Sequence, residues 1–237
     1  SAFFAVNSPQ IAIFAENSLD MYIHETQNWP DFTWNREQID AKLVKVSKAA
    51  GYLEGRLSAI GFDVQQQAAV EALTHDIVSS SEIEGVLLNS DQVRSSVARR
   101  MGVHITNETE PSHYIEGVVE MMLDAVNNYS SPLTDERLFG WHNCLFPTGR
   151  SGMEPINVGQ YRVDPMDVVS GTWGREKVHY HAPAAEDVPV EMQRFLAWFN
   201  SDETAKDYVK SAIAHFWFVS IHPFDDGNGR ISRAIAD

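Results

Sequence analysis

The feature that most restricts how this chain can fold is the run Ile221-His222-Pro223-Phe224-Asp225-Asp226-Gly227-Asn228-Gly229-Arg230-Ile231-Ser232-Arg233. An apolar helical stretch with Ala212, Ile213, Phe216, Trp217 and Val219 leads into it. Pro223 has no N–H and clashes with a continuing helix, so the helix breaks there and the direction of His222 is fixed. Gly227-Asn228-Gly229 then lets backbone N–H groups converge. A second helix starts at once, with the partial positive charge of its N-terminus facing the loop.

The residue types around that loop point to phosphate chemistry. Arg230 and Arg233 are three apart, so they share a helical face and both can reach phosphates. Asp226 sits at the rim of the anion nest, where a carboxylate would repel phosphates unless it held Mg²⁺. A neutral imidazole at His222 is placed to take a proton from a hydroxyl nucleophile. Together the parts read as a nucleoside-triphosphate site with an external general base, which means phosphoryl or nucleotidyl transfer onto a hydroxyl. The plainer alternative is a Gly-rich helix–turn–helix with a capping Asp and solvated arginines. That alternative explains one Gly-Asn-Gly, but not the agreement of every position around it.

Composition narrows the partners. With 18 Lys+Arg against 33 Asp+Glu, the formal charge is -15. Such a surface repels nucleic acid and anionic membrane, so a polyanionic ligand must be held by a local basic pocket or a metal. The lone cysteine, Cys144, excludes an internal disulfide and a Cys-based zinc cluster. No apolar run has the length of a membrane span. The 237 residues are enough to bury a core in one ordinary domain plus a small one.

Periodicity predicts a mainly α chain. Helical spacing runs from Arg36 to Leu57, from about Val64 to Ser81, from Ser112 to Tyr129, from Leu133 to Phe146, from Val188 to Phe199 and from Ala205 to Ser220. Gly85 is placed to end the second of these, and Ser90-Asp91 to cap a short helix after it. Pro147 to Ala185 holds most of the local Gly and Pro with short β-like pieces, and reads as an irregular stretch with a hairpin. Residues 1–20 read as a tag or leader, without the basic start of a signal peptide. The last helix is still running at Asp237, so the chain reads as cut short there.

The segment 221–233 resembles the Fic signature, His-Pro-Phe-x-(Asp/Glu)-Gly-Asn-Gly-Arg-x-x-Arg, at every specified position. The resemblance implies a Fic-type helical core with a small β-hairpin flap, spanning residues 106–237. A small N-terminal helical domain, 21–105, is expected before it. The implied activity is transfer of AMP from ATP to a Ser, Thr or Tyr hydroxyl of a target protein. His222 would be the base and Asp226 the Mg²⁺ ligand. Gly227, Asn228 and Gly229 would hold the α- and β-phosphates, with Arg230 on phosphate and Arg233 on the γ-phosphate. Relatives that phosphorylate their targets carry Lys at the position of Gly229, which favours AMP transfer here.

Two further stretches resemble parts of the same family. Gly159-Gln160-Tyr161-Arg162 is similar to the Gly-x-Tyr-Arg piece before the flap, and residues 177–183 fall where the flap is expected. An extended flap could add a strand to a target segment, and Val178, His179 and Tyr180 would border the nucleotide. His179 and His181 alternate as a metal pair would, although solvent-facing histidines are the plainer reading. Ser80-Ser81-Glu82-Ile83-Glu84-Gly85 resembles the (Ser/Thr)-x-x-x-Glu-(Gly/Asn) inhibitory helix. Glu84 would then pair with Arg233 in place of the γ-phosphate, oriented by Ser80. The simpler alternative is a helix that ends at Gly85.

Two other functions stay open. Glu84 could instead position water to remove AMP from a modified target, or the domain could be a non-catalytic nucleotide-sensing module. A self-inhibiting helical protein could also be regulated as a homodimer. The expected setting is bacterial and cytoplasmic.

Overall fold

The computed structural model describes residues 21–170, 175, 177–201 and 208–237. The expected leader, 1–20, and the start of the helix expected from Ala205 lie outside the described residues. By internal contacts the chain forms two compact units, one of Phe32–Met122 and one that joins residues 21–31 to Leu123–Asp237. Residues 21–31 thus cluster apart from the rest of the expected 21–105 domain.

The Phe32–Met122 unit is built from α1 (Arg36–Leu57), α2 (Phe62–Ile83), α3 (Ser90–Met101) and the first part of α4 (His113–Asn127). Asn35 caps α1 by accepting from the Gln38 N–H at 3.1 Å. The cap of α3 is Asn89, whose side chain accepts from the Gln92 N–H at 3.1 Å. The expected cap at Ser90-Asp91 is therefore displaced by one residue, because Asn in extended backbone offers the same oxygen one step earlier. α2 and α3 bury Val70, Ile77, Val93, Val97 and Ala98 against one another. α2 stops at Glu84, and Gly85 follows with φ 74°, a left-handed turn that favours glycine.

The other unit holds α5 (Asp135–Leu145), α6 (Val188–Phe199), α7 (Tyr208–Ile221) and α8 (Asn228–Ala236). Thr134 caps α5 through the Arg137 N–H. α7 packs on both α6 and α8. Between them lie Met192, Phe195, Trp217, Phe218, Ile221, Phe224, Ile231 and Ala234, all buried. The rings interlock: Phe195 meets Trp217 edge-on at 5.6 Å and Phe218 at 5.8 Å. Burying each such side chain contributes about 1.5–3 kcal/mol, so this cluster fixes where α7 ends and α8 begins. Phe218→Ala would cost about 3–5 kcal/mol and loosen that junction.

Two small antiparallel sheets complete this unit among the described residues. β1 (Arg150–Ser151) pairs with β2 (Glu154–Pro155). β3 (Asp167–Ser170) pairs with β4 (Lys177–His181), with Asp167 opposite His181 and Val168 opposite Tyr180. The second is the expected hairpin, and an irregularity between Val168 and Val169 shifts its register. The fold is mainly α, as the periodicity predicts. No helix among the described residues is long and apolar enough to cross a membrane.

Candidate active site

α7 ends on Ile221, and the His222 N–H still donates to the Phe218 carbonyl at 3.1 Å. His222 itself adopts φ 52°, a left-handed backbone that costs a non-glycine residue about 1–2 kcal/mol. What holds it there is Arg162, a buried arginine. Its Nε donates to the His222 carbonyl at 2.8 Å, one Nη to the Asp164 carbonyl at 2.9 Å and the other to the Pro183 carbonyl at 2.6 Å. The Arg162 N–H adds a bond to the Pro223 carbonyl at 2.9 Å. One side chain thus ties the residue after α7 to the end of the flap.

The imidazole of His222 has a defined tautomer. Nδ1 lies 3.2 Å from the Val219 carbonyl, and a carbonyl only accepts, so Nδ1 carries the proton and Nε2 the lone pair. Burial lowers its pKa to about 4, and the Arg162 charge pushes the same way against the Val219 carbonyl and Asp226. The ring is a neutral base at pH 7.

The loop that follows is held by groups far away in sequence. Asp225 accepts from the Asn157 N–H at 2.8 Å and from its side-chain amide at 2.9 Å. Asp226 is buried; one carboxylate oxygen accepts from the Gly227 N–H at 2.5 Å and the other from the Ser151 hydroxyl. Its carbonyl lies 3.1 Å from Nε2 of His142, while the Gly159 N–H donates to Nδ1 of the same ring at 3.2 Å. His142 is therefore the Nε2–H tautomer, stacked on Phe224 at 4.3 Å and fully buried. Burial lowers its pKa to about 4 as well.

Gly227 has φ 82° and starts α8. The first bond of that helix runs from the Ile231 N–H to the Gly227 carbonyl, so the N–H groups of Asn228, Gly229 and Arg230 have no acceptor within the helix. Such a helix N-terminus is the kind of place where an anion can be held. The Asn228 side chain has another task. Its oxygen accepts from the Phe224 N–H at 2.9 Å and its nitrogen donates to the Phe224 carbonyl at 2.8 Å. Asn228 therefore reaches a phosphate only through its main chain. Arg230 is buried with its guanidinium over the Phe146 ring at 5.0 Å and 3.7 Å from Asp226. Arg233 is half-buried on the next turn of α8.

The flap residues take separate roles. Val178 and His179 are exposed, and Nε2 of His179 lies 2.5 Å from the Ser170 hydroxyl. His181 pairs with Asp167 at 2.5 Å. Each histidine is thus engaged across the hairpin with its own partner, and the two do not form a metal pair. Tyr180 turns inward, and its hydroxyl donates to the Ser220 carbonyl at 2.8 Å. Ser80 and Glu84 belong to the Phe32–Met122 unit, at the C-terminal end of α2.

Of the side chains that shape the loop, Arg162 had a sequence signal in Gly159-Gln160-Tyr161-Arg162. His142, Ser151 and Asn157 had none. The donor set suits Mg²⁺ in one way. Asp226 is a single buried carboxylate beside an anion nest, and Mg²⁺ commonly takes one or two carboxylates and completes its octahedron with substrate phosphates and water. Among the described residues no group of three or more His, Cys, Asp and Glu could hold an ion by itself.

A neutral imidazole and, on the helix that follows it, two arginines near an N-terminus form a basic, hydrogen-bonding arrangement within a helical domain. The comparison with known proteins agrees: residues 132–237 match the Fic/DOC family, and the chain carries a Fic/DOC-family domain. Residues 22–103 match a domain of unknown function, DUF4172. The chain is 26% identical over 159 residues to the uridine 5'-monophosphate transferase of Xanthomonas campestris pv. campestris (strain 8004), covering 62% of this chain and 29% of that protein. It is 28% identical over 175 residues to the protein adenylyltransferase Fic of Drosophila mojavensis, covering 72% and 32%. The chain thus spans about a third of the length of these curated relatives. A Fic family protein from Desulfovibrio desulfuricans G20 shares the fold, with a TM-score of 0.54, 20% identity, and coverage of 87% of this chain and 58% of that one. Relatives named for AMP and UMP transfer support nucleotidyl transfer at the level of the family.

Proposed function

We propose that this chain is a protein adenylyltransferase that moves AMP from ATP to a hydroxyl of a target protein. The observation that carries the reading is the Nδ1–H bond from His222 to Val219, which leaves a neutral Nε2 lone pair beside the α8 N-terminus. The target hydroxyl loses its proton to Nε2 as its oxygen attacks the α-phosphorus. The bond from that phosphorus to the bridging oxygen of the β-phosphate breaks, and pyrophosphate leaves. The N–H groups of residues 228–230, with Arg230 and Arg233, offset the charge that develops on the phosphates. Asp226 would hold Mg²⁺, which would supply charge neutralisation for the leaving group. Glu84 acts as the inhibitory carboxylate, competing with the γ-phosphate for Arg233, and Ser80 orients it. The flap receives the target segment.

The test is self-labelling with α-labelled ATP and Mg²⁺ for the wild type, Glu84→Gly and Glu84→Gly/His222→Ala. Label that rises in the first variant and vanishes in the second supports transfer and inhibition together. A parallel arm with α-labelled UTP follows from the UMP transferase among the relatives. Labelling from UTP alone would keep the mechanism and change the nucleotide. No label from either nucleotide, with ATP still bound, would overturn the reading.

A further inference from the structure

We propose that residues 22–31 form a brace that sets the flap for its target, with His24 and Tyr180 as positioning residues. The inference rests on the reading of β4 as the target-docking strand. In sequence these residues fall inside the match to the domain of unknown function, yet they cluster with the Fic part of the chain.

A two-stranded hairpin is marginal by itself and needs a packed face to stay in place. In β4, four of five residues are exposed and only Tyr180 is partly buried. The position of the strand therefore depends on what holds that ring. The Tyr180 hydroxyl has one proton, which goes to the Ser220 carbonyl at 2.8 Å. The contact between that oxygen and Nδ1 of His24, 2.9 Å long, must then have the imidazole as donor. The His24 ring stands edge-on to Tyr180 at 5.5 Å, and the Tyr22 ring meets Tyr180 at 5.3 Å and His181 at 5.0 Å, both edge-on.

The segment is fixed at its other end too. The Trp29 indole N–H donates to Glu191 on α6 at 2.7 Å, and its ring meets Trp217 on α7 edge-on at 6.1 Å. Glu25 closes the turn by accepting from the Tyr22 N–H at 2.7 Å. β4 is thus linked through Tyr180 to Ser220, two residues before His222. Among the described residues β4 pairs with β3 alone, so the brace holds the strand's face and leaves its second edge open for an added strand.

The test has two readouts on the full chain. The first is amide hydrogen exchange of residues 177–181 in wild type, His24→Leu, His24→Gln and Tyr180→Phe. The second is AMP transfer from Glu84→Gly chains, with or without the His24 changes, onto the His222→Ala chain as protein acceptor. We expect His24→Leu and Tyr180→Phe to raise exchange in β4 at least tenfold while α8 stays protected. His24→Leu should raise KM for the acceptor about fivefold or more and leave KM for ATP unchanged. His24→Gln, whose amide still donates, should restore both. Unchanged β4 exchange in both His24→Leu and Tyr180→Phe overturns the brace. Absence of transfer in the Glu84→Gly reference sinks the adenylyl-transfer reading instead, and exchange alone then decides the brace.

Discussion

The Nε of Arg162 donates to the carbonyl of His222 at 2.8 Å, and that bond is what keeps the proposed base in a left-handed backbone. Arg162 reaches the carbonyls of His222, Asp164, Pro183 and, at 3.5 Å, Ile221 from one rigid fork. A lysine cannot span them. Arg162→Lys should leave at least one buried carbonyl without a donor, at about 1–3 kcal/mol each. We expect a melting point lower by several degrees and at least a tenfold loss of transfer. A melt and a transfer rate equal to wild type would show that His222 is held by other means.

The depressed pKa of His222 sets the pH response. An imidazole that titrates at about 4 keeps its Nε2 lone pair throughout the range in which an ordinary histidine becomes charged. The rate should therefore stay level as pH falls from 8 to about 5 and drop only on approach to 4. The profile is to be measured as kcat/KM in the Glu84→Gly background. An acid limb centred near 6.5 would mean that the ring is solvated as in a free histidine.

Gly227 has no room for a side chain. An added Cβ would lie 2.9 Å from Cε2 of Phe146 and 3.1 Å from Cδ1 of Leu145, at φ 82°. Backbone strain and overpacking together should cost Gly227→Ala about 2–5 kcal/mol. The expected result is a markedly lower melting point and loss of nucleotide binding, read by thermal shift with and without ATP. Full binding in a stable variant would exclude this tight turn.

Glu84 is the C-cap residue of α2, one position before Gly85, whose φ is 74°. Glu84→Gly should leave the melting point within a few degrees and raise self-labelling tenfold or more. Ser80→Ala should raise it less. Equal labelling in wild type and Glu84→Gly would remove the inhibitory role.

The helices and the turn between α7 and α8 were legible because both are local. Periodicity over one or two turns marks α7, and Pro223 with Gly227 marks its end and the start of α8. The supports of the loop were not legible. Ser151 and His142 reach Asp226 across 75 and 84 positions, and Arg162 reaches His222 across 60. No spacing rule connects residues so far apart, and a lone buried histidine looks like any other apolar-face residue. The task of the Asn228 side chain was not legible either. Its amide clasps the backbone of Phe224 four residues earlier, a contact that Gly-Asn-Gly does not announce. The place of Tyr180 in the flap suggests a nucleotide neighbour, and its contacts with His24 and the Ser220 carbonyl carry no local sequence signal.

The interleaving of the two units has a covalent consequence. The chain passes between them twice, after Asp31 and after Met122. The helix with Ser80 and Glu84 is therefore tethered at both ends to the unit that carries His222. One protease nick at either crossing leaves it attached, and only a double cut would set it free as a separate fragment. A carboxylate mounted this way stays at a fixed stoichiometry of one to one with the unit that carries His222, and cannot be diluted away.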